Sequence, residues 1–224
     1  MNYLSHYYFD RRSSVPEEVL GGALPDLLRS FNSRWVLNTE TMSLADGSPG
    51  SWALLRGWQR HRAIDRVFHS SASFARETAS LKLEIKPILI ESPIWSYFLA
   101  HIFYELNLDA VLLKDQVVDA DRFYQDLENA SREDLLFFLE QAGAHDAKSF
   151  FPRLDKFIQS RYLFSYDQGS GITYALDRIC SRLWKQPLTP RQNEALSELC
   201  EIYQERLLIL YPELLAEISR GIDL

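Results

Sequence analysis

Cysteine is nearly absent. Cys180 and Cys200 are the two in 224 residues, too few for a disulfide framework, so a reducing compartment is expected, with both thiols as small core residues. Long apolar runs are missing too. The best candidate, residues 94–113, is broken by His101, Glu105, Asn107 and Asp109, which argues against a membrane span. The opening "MNYLSHYYFDRRSS" has no basic start followed by an apolar run, so no secretory signal is expected and the chain reads as cytoplasmic. Basic residues are in deficit, 24 Lys and Arg against 31 Asp and Glu, which argues against a general nucleic-acid binder. Apolar/polar alternation is lacking, so strands are not expected. Cys-x-x-Cys, His-Glu-x-x-His, P-loop, Gly-x-Gly-x-x-Gly and Gly-x-Ser-x-Gly patterns are all missing, which removes the common zinc, nucleotide and serine-hydrolase readings. Glu-x-x-His pairs of the di-iron bundles do not occur either.

Helix signals fill the chain. Ser14 with Glu17 reads as a capping box opening a helix from about residue 15. Ser92–Pro93 reads as a cap followed by twenty residues free of glycine and proline. Ser131 opens a helix that Gly143 stops. Thr189–Pro190 opens a long one to about Arg220, with Pro212 expected to kink or break it. Leu196, Leu199, Tyr203, Leu207 and Leu210 mark its apolar stripe. Residues 38–51 are expected to form a mobile surface loop, and the Gly-Ser-Gly at 169–171 a plain turn before another helix. No repeat or linker is evident. The expectation is an all-α, single-domain helical bundle over residues 1–224.

The chemistry is concentrated in "RHRAIDRVFH", residues 60–69. His61, Asp65 and His69 stand four apart twice over, which on a helix puts them on neighbouring turns of one face. His101, Glu105 and Asp109 repeat that spacing within an otherwise apolar segment. A polar stripe on an apolar helix is costly unless paired or bound to an ion. Imidazole and carboxylate together suit divalent ions such as zinc, manganese and iron. His6 and Asp26 are the remaining candidate ligands, and Asp109 reads better as a group supporting the ligands than as one of them. His145, in a polar turn, is left out. A salt-bridged helix seam without metal is the competing reading. Residues 29–76 hold seven arginines (29, 34, 56, 60, 62, 66 and 76) against Glu40, Asp46 and Asp65, so that stretch is +4 and the remainder −11. A basic patch of this kind favours an anionic substrate or an acidic partner.

These residues resemble those of the acyl carrier protein phosphodiesterases. Residues 1–6, "MNYLSH", are similar to the family's Met-Asn-x-Leu-Ala-His, and 21–29, "GGALPDLLR", to its Gly-Asn-x-x-x-Asp-Phe-x-x-Arg. Residues 57–65, "GWQRHRAID", match Gly-x-x-x-His-Arg-x-Ile-Asp, and Tyr211–Pro212 stands where the family has a tyrosine-proline pair. The resemblance implies a bundle akin to HD-type metal-dependent phosphohydrolases. It also implies hydrolysis of the phosphodiester between 4′-phosphopantetheine and a serine of acyl carrier protein, with manganese favoured. His6, Asp26, His61 and Asp65 carry over. The chain departs from the family at His69, where an aspartate is usual, and at His101-x-x-x-Glu105-Leu106, where Asp-x-x-x-Asp-His is usual; zinc or iron then become alternatives. On this reading His6, Asp26, His61, Asp65, His69, His101 and Glu105 hold one or two ions. Asp65 and Arg62 serve the chemistry, with Arg29 and Arg60 as further anion contacts. Acidic acyl carrier protein would dock on the arginine-rich segment. The helical Pro-Asp, His-x-x-x-Asp and His-x-x-x-Glu pattern is also similar to zinc-dependent phospholipase C and related nucleases. A catalytically inactive helical metal-binding protein is the third possibility.

Overall fold

The computed structural model describes residues 1–31, 35, 37–40 and 42–222. The fold is all-α: among these residues there are ten α-helices, two short 3₁₀ segments and no strand. The chain divides into two compact units interleaved in sequence. The first comprises Met1–Ser5, Asp65–Val117 and Leu163–Leu224; the second comprises His6–Ile64 and Val118–Tyr162.

In the first unit, α5 (Ser96–Lys114) is the central helix. Leu99, Ala100, Phe103, Tyr104, Leu108, Val111 and Leu112 are all buried along it, as expected of a helix that is apolar nearly all round. It packs against α4 (Ala72–Ile85), α9 (Gly169–Trp184) and α10 (Pro190–Gly221). Its buried amide, Asn107, donates to the Phe103 carbonyl and accepts from Gln204 Nε2 at 3.0 Å, so the polar group is satisfied inside the core. Cys180 and Cys200 are fully buried, and burial pushes both thiols up to about 12, so they act as core residues.

Helix α10 starts at the expected cap, Thr189, which forms a capping box with Gln192. It then runs unbroken through Pro212, contrary to the expected break. Pro212 lies on an exposed face, where a carbonyl that loses its helical donor can take water instead. The neighbouring Tyr211 hydroxyl donates to Asp115 at the end of α5, tying the two helices together. The buried stripe of α10 is Leu196, Cys200, Tyr203 and Leu207, with Leu199 and Leu210 at its edges. Helix α5 begins at Ser96 rather than at Pro93, because the turn before it buries Leu89 and Ile94; the Ser92 hydroxyl accepts from Ile94 N within that turn.

The second unit is built on α2 (Pro16–Phe31), the start of α3 (Pro49–Ser70), α6 (Ala120–Asn129), α7 (Arg132–Gln141) and α8 (Phe151–Ser160). The box expected at Ser14 gives way to Ser13, whose hydroxyl accepts from Val15 N. Glu17 instead accepts from the Ser131 backbone N–H at 2.9 Å. Ser131 caps α7 as expected, and Gly143 follows its end at φ +91°. Pro25 sits inside α2.

Glycine decides how α2 meets α3. A Cβ on Gly57 would lie 2.1 Å from the Glu18 carbonyl oxygen, and one on Gly21 would lie 2.2 Å from that of Leu54. Only hydrogen at these positions lets the two backbones touch. The loop expected at 38–51 ends at Ser48, where α3 begins, and it is anchored by buried Leu44 and by Asn38 N donating to the Ala142 carbonyl. Thr41 in that loop, and Arg34 of the basic segment, lie outside the described residues.

Candidate metal centre

The last turn of α3 and the middle of α5, both in the first unit, bring three ligand-type atoms together. His69 Nε2 lies 3.1 Å from His101 Nε2 and 3.2 Å from Glu105 Oε1, and His101 Nε2 lies 2.9 Å from that oxygen. His69 Nδ1 is 2.8 Å from the Asp65 carbonyl one turn back. A carbonyl only accepts, so Nδ1 carries the hydrogen, and a neutral His69 directs a lone pair from Nε2 at its two neighbours. Nothing but a shared proton or a cation can sit among two imidazole nitrogens and a carboxylate oxygen at these separations. Donors about 2.1 Å from one ion and spaced this way subtend angles of about 90–100°. That is nearer the face of an octahedron than a tetrahedron, which would need spacings of about 3.4 Å. The donor set, two imidazoles and a carboxylate, is one that manganese, iron and zinc all accept.

The N-terminus links Asp65 to this cluster. The Met1 ammonium is 2.9 Å from Asp65 Oδ1 and 2.9 Å from Glu105 Oε1, so one cation bridges the two carboxylates. Burial alone would raise the Glu105 pKa. The Met1 ammonium foremost, with the His101 and His69 imidazoles beside it, outweighs burial and holds the group well below the usual carboxylate range. Asp109 has another task. Its Oδ2 accepts from Asn2 Nδ2 at 2.8 Å and Leu4 N at 3.0 Å, and its Oδ1 accepts from Ser5 N at 2.8 Å. It therefore caps the first turn of α1 (Tyr3–Asp10) from α5. Complete burial pushes its carboxyl up to about 7 against the pull of these donors.

The second unit holds another imidazole pair. His6 and His61 are both buried and stack with ring centroids 3.7 Å apart at 15°. His61 Nδ1 meets the Gly22 carbonyl at 2.7 Å, which fixes its tautomer with the lone pair on Nε2. The close α2–α3 approach allowed by Gly21 and Gly57 makes that contact possible. Asp65 follows His61 by one turn of α3. Asp10, one turn after His6, was missed in the sequence, although His6-x-x-x-Asp10 has the same spacing as the pairs that were noticed. It is buried and ion-paired to Arg60, and burial pushes its carboxyl up to about 6 despite that partner. Asp26 is half-buried on α2 and belongs to neither group of clustered ligand atoms.

Most of the arginines are already matched. Arg62 forms an exposed pair with Glu40 at 3.1 Å, Arg56 pairs with Glu18, Arg60 with Asp10 and Glu18, and Arg76 with Glu77. The basic surplus read from the sequence is thus largely neutralised locally, and Arg29 is exposed. His145 is exposed in the turn after α7, apart from either histidine group. No helix among the described residues is long and apolar enough to cross a membrane. Comparison with protein-family models, curated proteins and solved structures finds no match to this chain.

Proposed function

We propose that this chain is a metal-dependent phosphodiester hydrolase that holds an ion on His69, His101 and Glu105, with Asp65 beside them. The observation that carries the reading is the triangle of ligand atoms at 2.9–3.2 Å, with the His69 tautomer set by a backbone carbonyl. A divalent ion held there would supply a bound water of near-neutral pKa and positive charge for phosphoryl oxygens. Glu105 contributes a carboxylate that stays ionised, and His69 keeps its lone pair aimed inward. Asp65, a third exposed and joined to Glu105 through the Met1 ammonium, would be the group to take a proton from the attacking water.

The substrate class rests on the resemblance at residues 1–6, 21–29 and 57–65: the phosphodiester linking phosphopantetheine to acyl carrier protein, hydrolysed in the cytoplasm by an HD-like bundle. His6 and His61 are a second candidate ligand pair, while Asp26 and Arg62 keep their assigned roles on the resemblance alone.

The test begins with metal analysis of protein purified without added ions, followed by turnover of bis(p-nitrophenyl) phosphate and then of holo-acyl carrier protein. Manganese- or iron-dependent hydrolysis that disappears in His101→Ala and persists in His145→Ala is the expected result. Bound metal without turnover of any phosphodiester would leave only a metal-binding protein, and no bound metal would overturn the proposal altogether.

A further inference from the structure

A separate surface of the first unit combines exposed apolar side chains with unmatched positive charge. At the end of α4 and through the turn into α5, Leu83 is 71% exposed, Ile90 70%, Trp95 58% and Tyr97 57%. These are large apolar groups, and burying each elsewhere in the molecule would have been favourable. Trp95 stacks on Tyr97 with centroids 5.7 Å apart and meets the edge of Trp184 at 6.3 Å, so the end of α9 belongs to the same face. Together with Lys86, Leu89 and Ile94, the two aromatic residues line an open depression.

The charges around this face are mostly positive, with Glu91 in the turn as the exposed exception. Lys82 and Lys86 stand one turn apart on the same side of α4, and Arg182 and Lys185 flank Trp184. All four are exposed, and among the described residues none of them forms an ion pair. That sets them apart from the arginines at 56, 60, 62 and 76, each of which has its carboxylate. A chain of net charge −7 that leaves four cations unmatched around a Trp–Tyr platform has built a local field opposite to its overall one.

We infer that this face docks on an anionic lipid surface. Tryptophan and tyrosine favour the headgroup level of a bilayer, where an apolar ring and a polar edge are both satisfied. The exposed Leu83 and Ile90 supply apolar area for the acyl boundary, and the lysines meet lipid phosphates. The unfavourable overall charge acts weakly because salt screens it beyond about 8–10 Å. The inference does not depend on the metal centre, whose residues lie on other turns.

The experiment is co-sedimentation of the full chain with vesicles of phosphatidylcholine alone and of phosphatidylcholine mixed equally with phosphatidylglycerol, with chelator present. Wild type should bind the anionic vesicles, release them in high salt, show a blue shift of tryptophan emission and ignore the neutral vesicles. Each lysine at an anionic surface is worth about fivefold in binding, so K82E/K86E should lose at least about 25-fold. Trp95→Ser should lose both the binding and the blue shift. These positions are exposed, and unchanged circular dichroism and thermal melting would show that the variants fold. Wild type that ignores anionic vesicles, or variants that bind them as well as wild type, would overturn the inference. So would equal binding to neutral vesicles, or a wild type that binds an acidic protein through this face and not lipid.

Discussion

Replacing Glu105 by Gln changes one charge and almost no volume, and the structure says what it should cost. Oε1 takes the Met1 ammonium at 2.9 Å, His101 at 2.9 Å and His69 at 3.2 Å. Glutamine keeps an acceptor but loses the charge that holds the Met1 ammonium, a loss of about 2–3 kcal/mol for a partly buried group. For a chain of this length that corresponds to a fall in Tm of about 5–10 °C without metal. The pH dependence has a definite sign. The folded-state pKa of Glu105 is depressed, so its stabilisation is present above the ordinary carboxylate pKa and is lost as pH falls through the folded value. Wild type and Glu105→Gln should therefore differ most at neutral pH and converge in acid. With manganese at about a hundred times its Kd, wild type should gain about 2.7 kcal/mol, or about 5–10 °C, and the variant almost nothing. Thermal melts followed by circular dichroism, with and without manganese at neutral and acid pH, measure all of this. A variant that keeps the full manganese shift, or a gap that widens in acid, would refute the reasoning.

Two further outcomes follow from packing. Gly57→Ala places a methyl group 2.1 Å from the Glu18 carbonyl oxygen, forcing α2 from α3. It should cost about 3 kcal/mol or more in urea denaturation and lower occupancy of His61 by added metal. Asp109→Ala removes the acceptor for the backbone N–H groups of Leu4 and Ser5. It should cost about 2–4 kcal/mol, and those two amides should lose hydrogen-exchange protection before the rest of α1 does. Unchanged protection there would mean that Asp109 does not hold α1.

How much of this could be read in advance differs from residue to residue. Helix existence was legible at Ser131, Thr189 and Gly143, because caps and stops act within a few residues of chain. So was the i, i+4 placement of His101 with Glu105 and of Asp65 with His69, since helical spacing alone sets which side chains share a face. Boundaries were less legible where burial overrode local signals: the turn holding Leu89 and Ile94 delays α5, and an exposed Pro212 leaves α10 intact.

Sequence by itself determined the all-α class and the azimuth of each polar stripe, because both depend on local backbone geometry and hydrophobic period. Which stripes meet was decided only in three dimensions. His69 joins His101 and Glu105 while His61 stacks on His6, Asp109 becomes a helix cap rather than a ligand, and the arginines find carboxylates far along the chain. The physical reason is that helix rotation follows from residue spacing, whereas helix contact follows from the packing of whole faces, down to the missing Cβ atoms of Gly21 and Gly57.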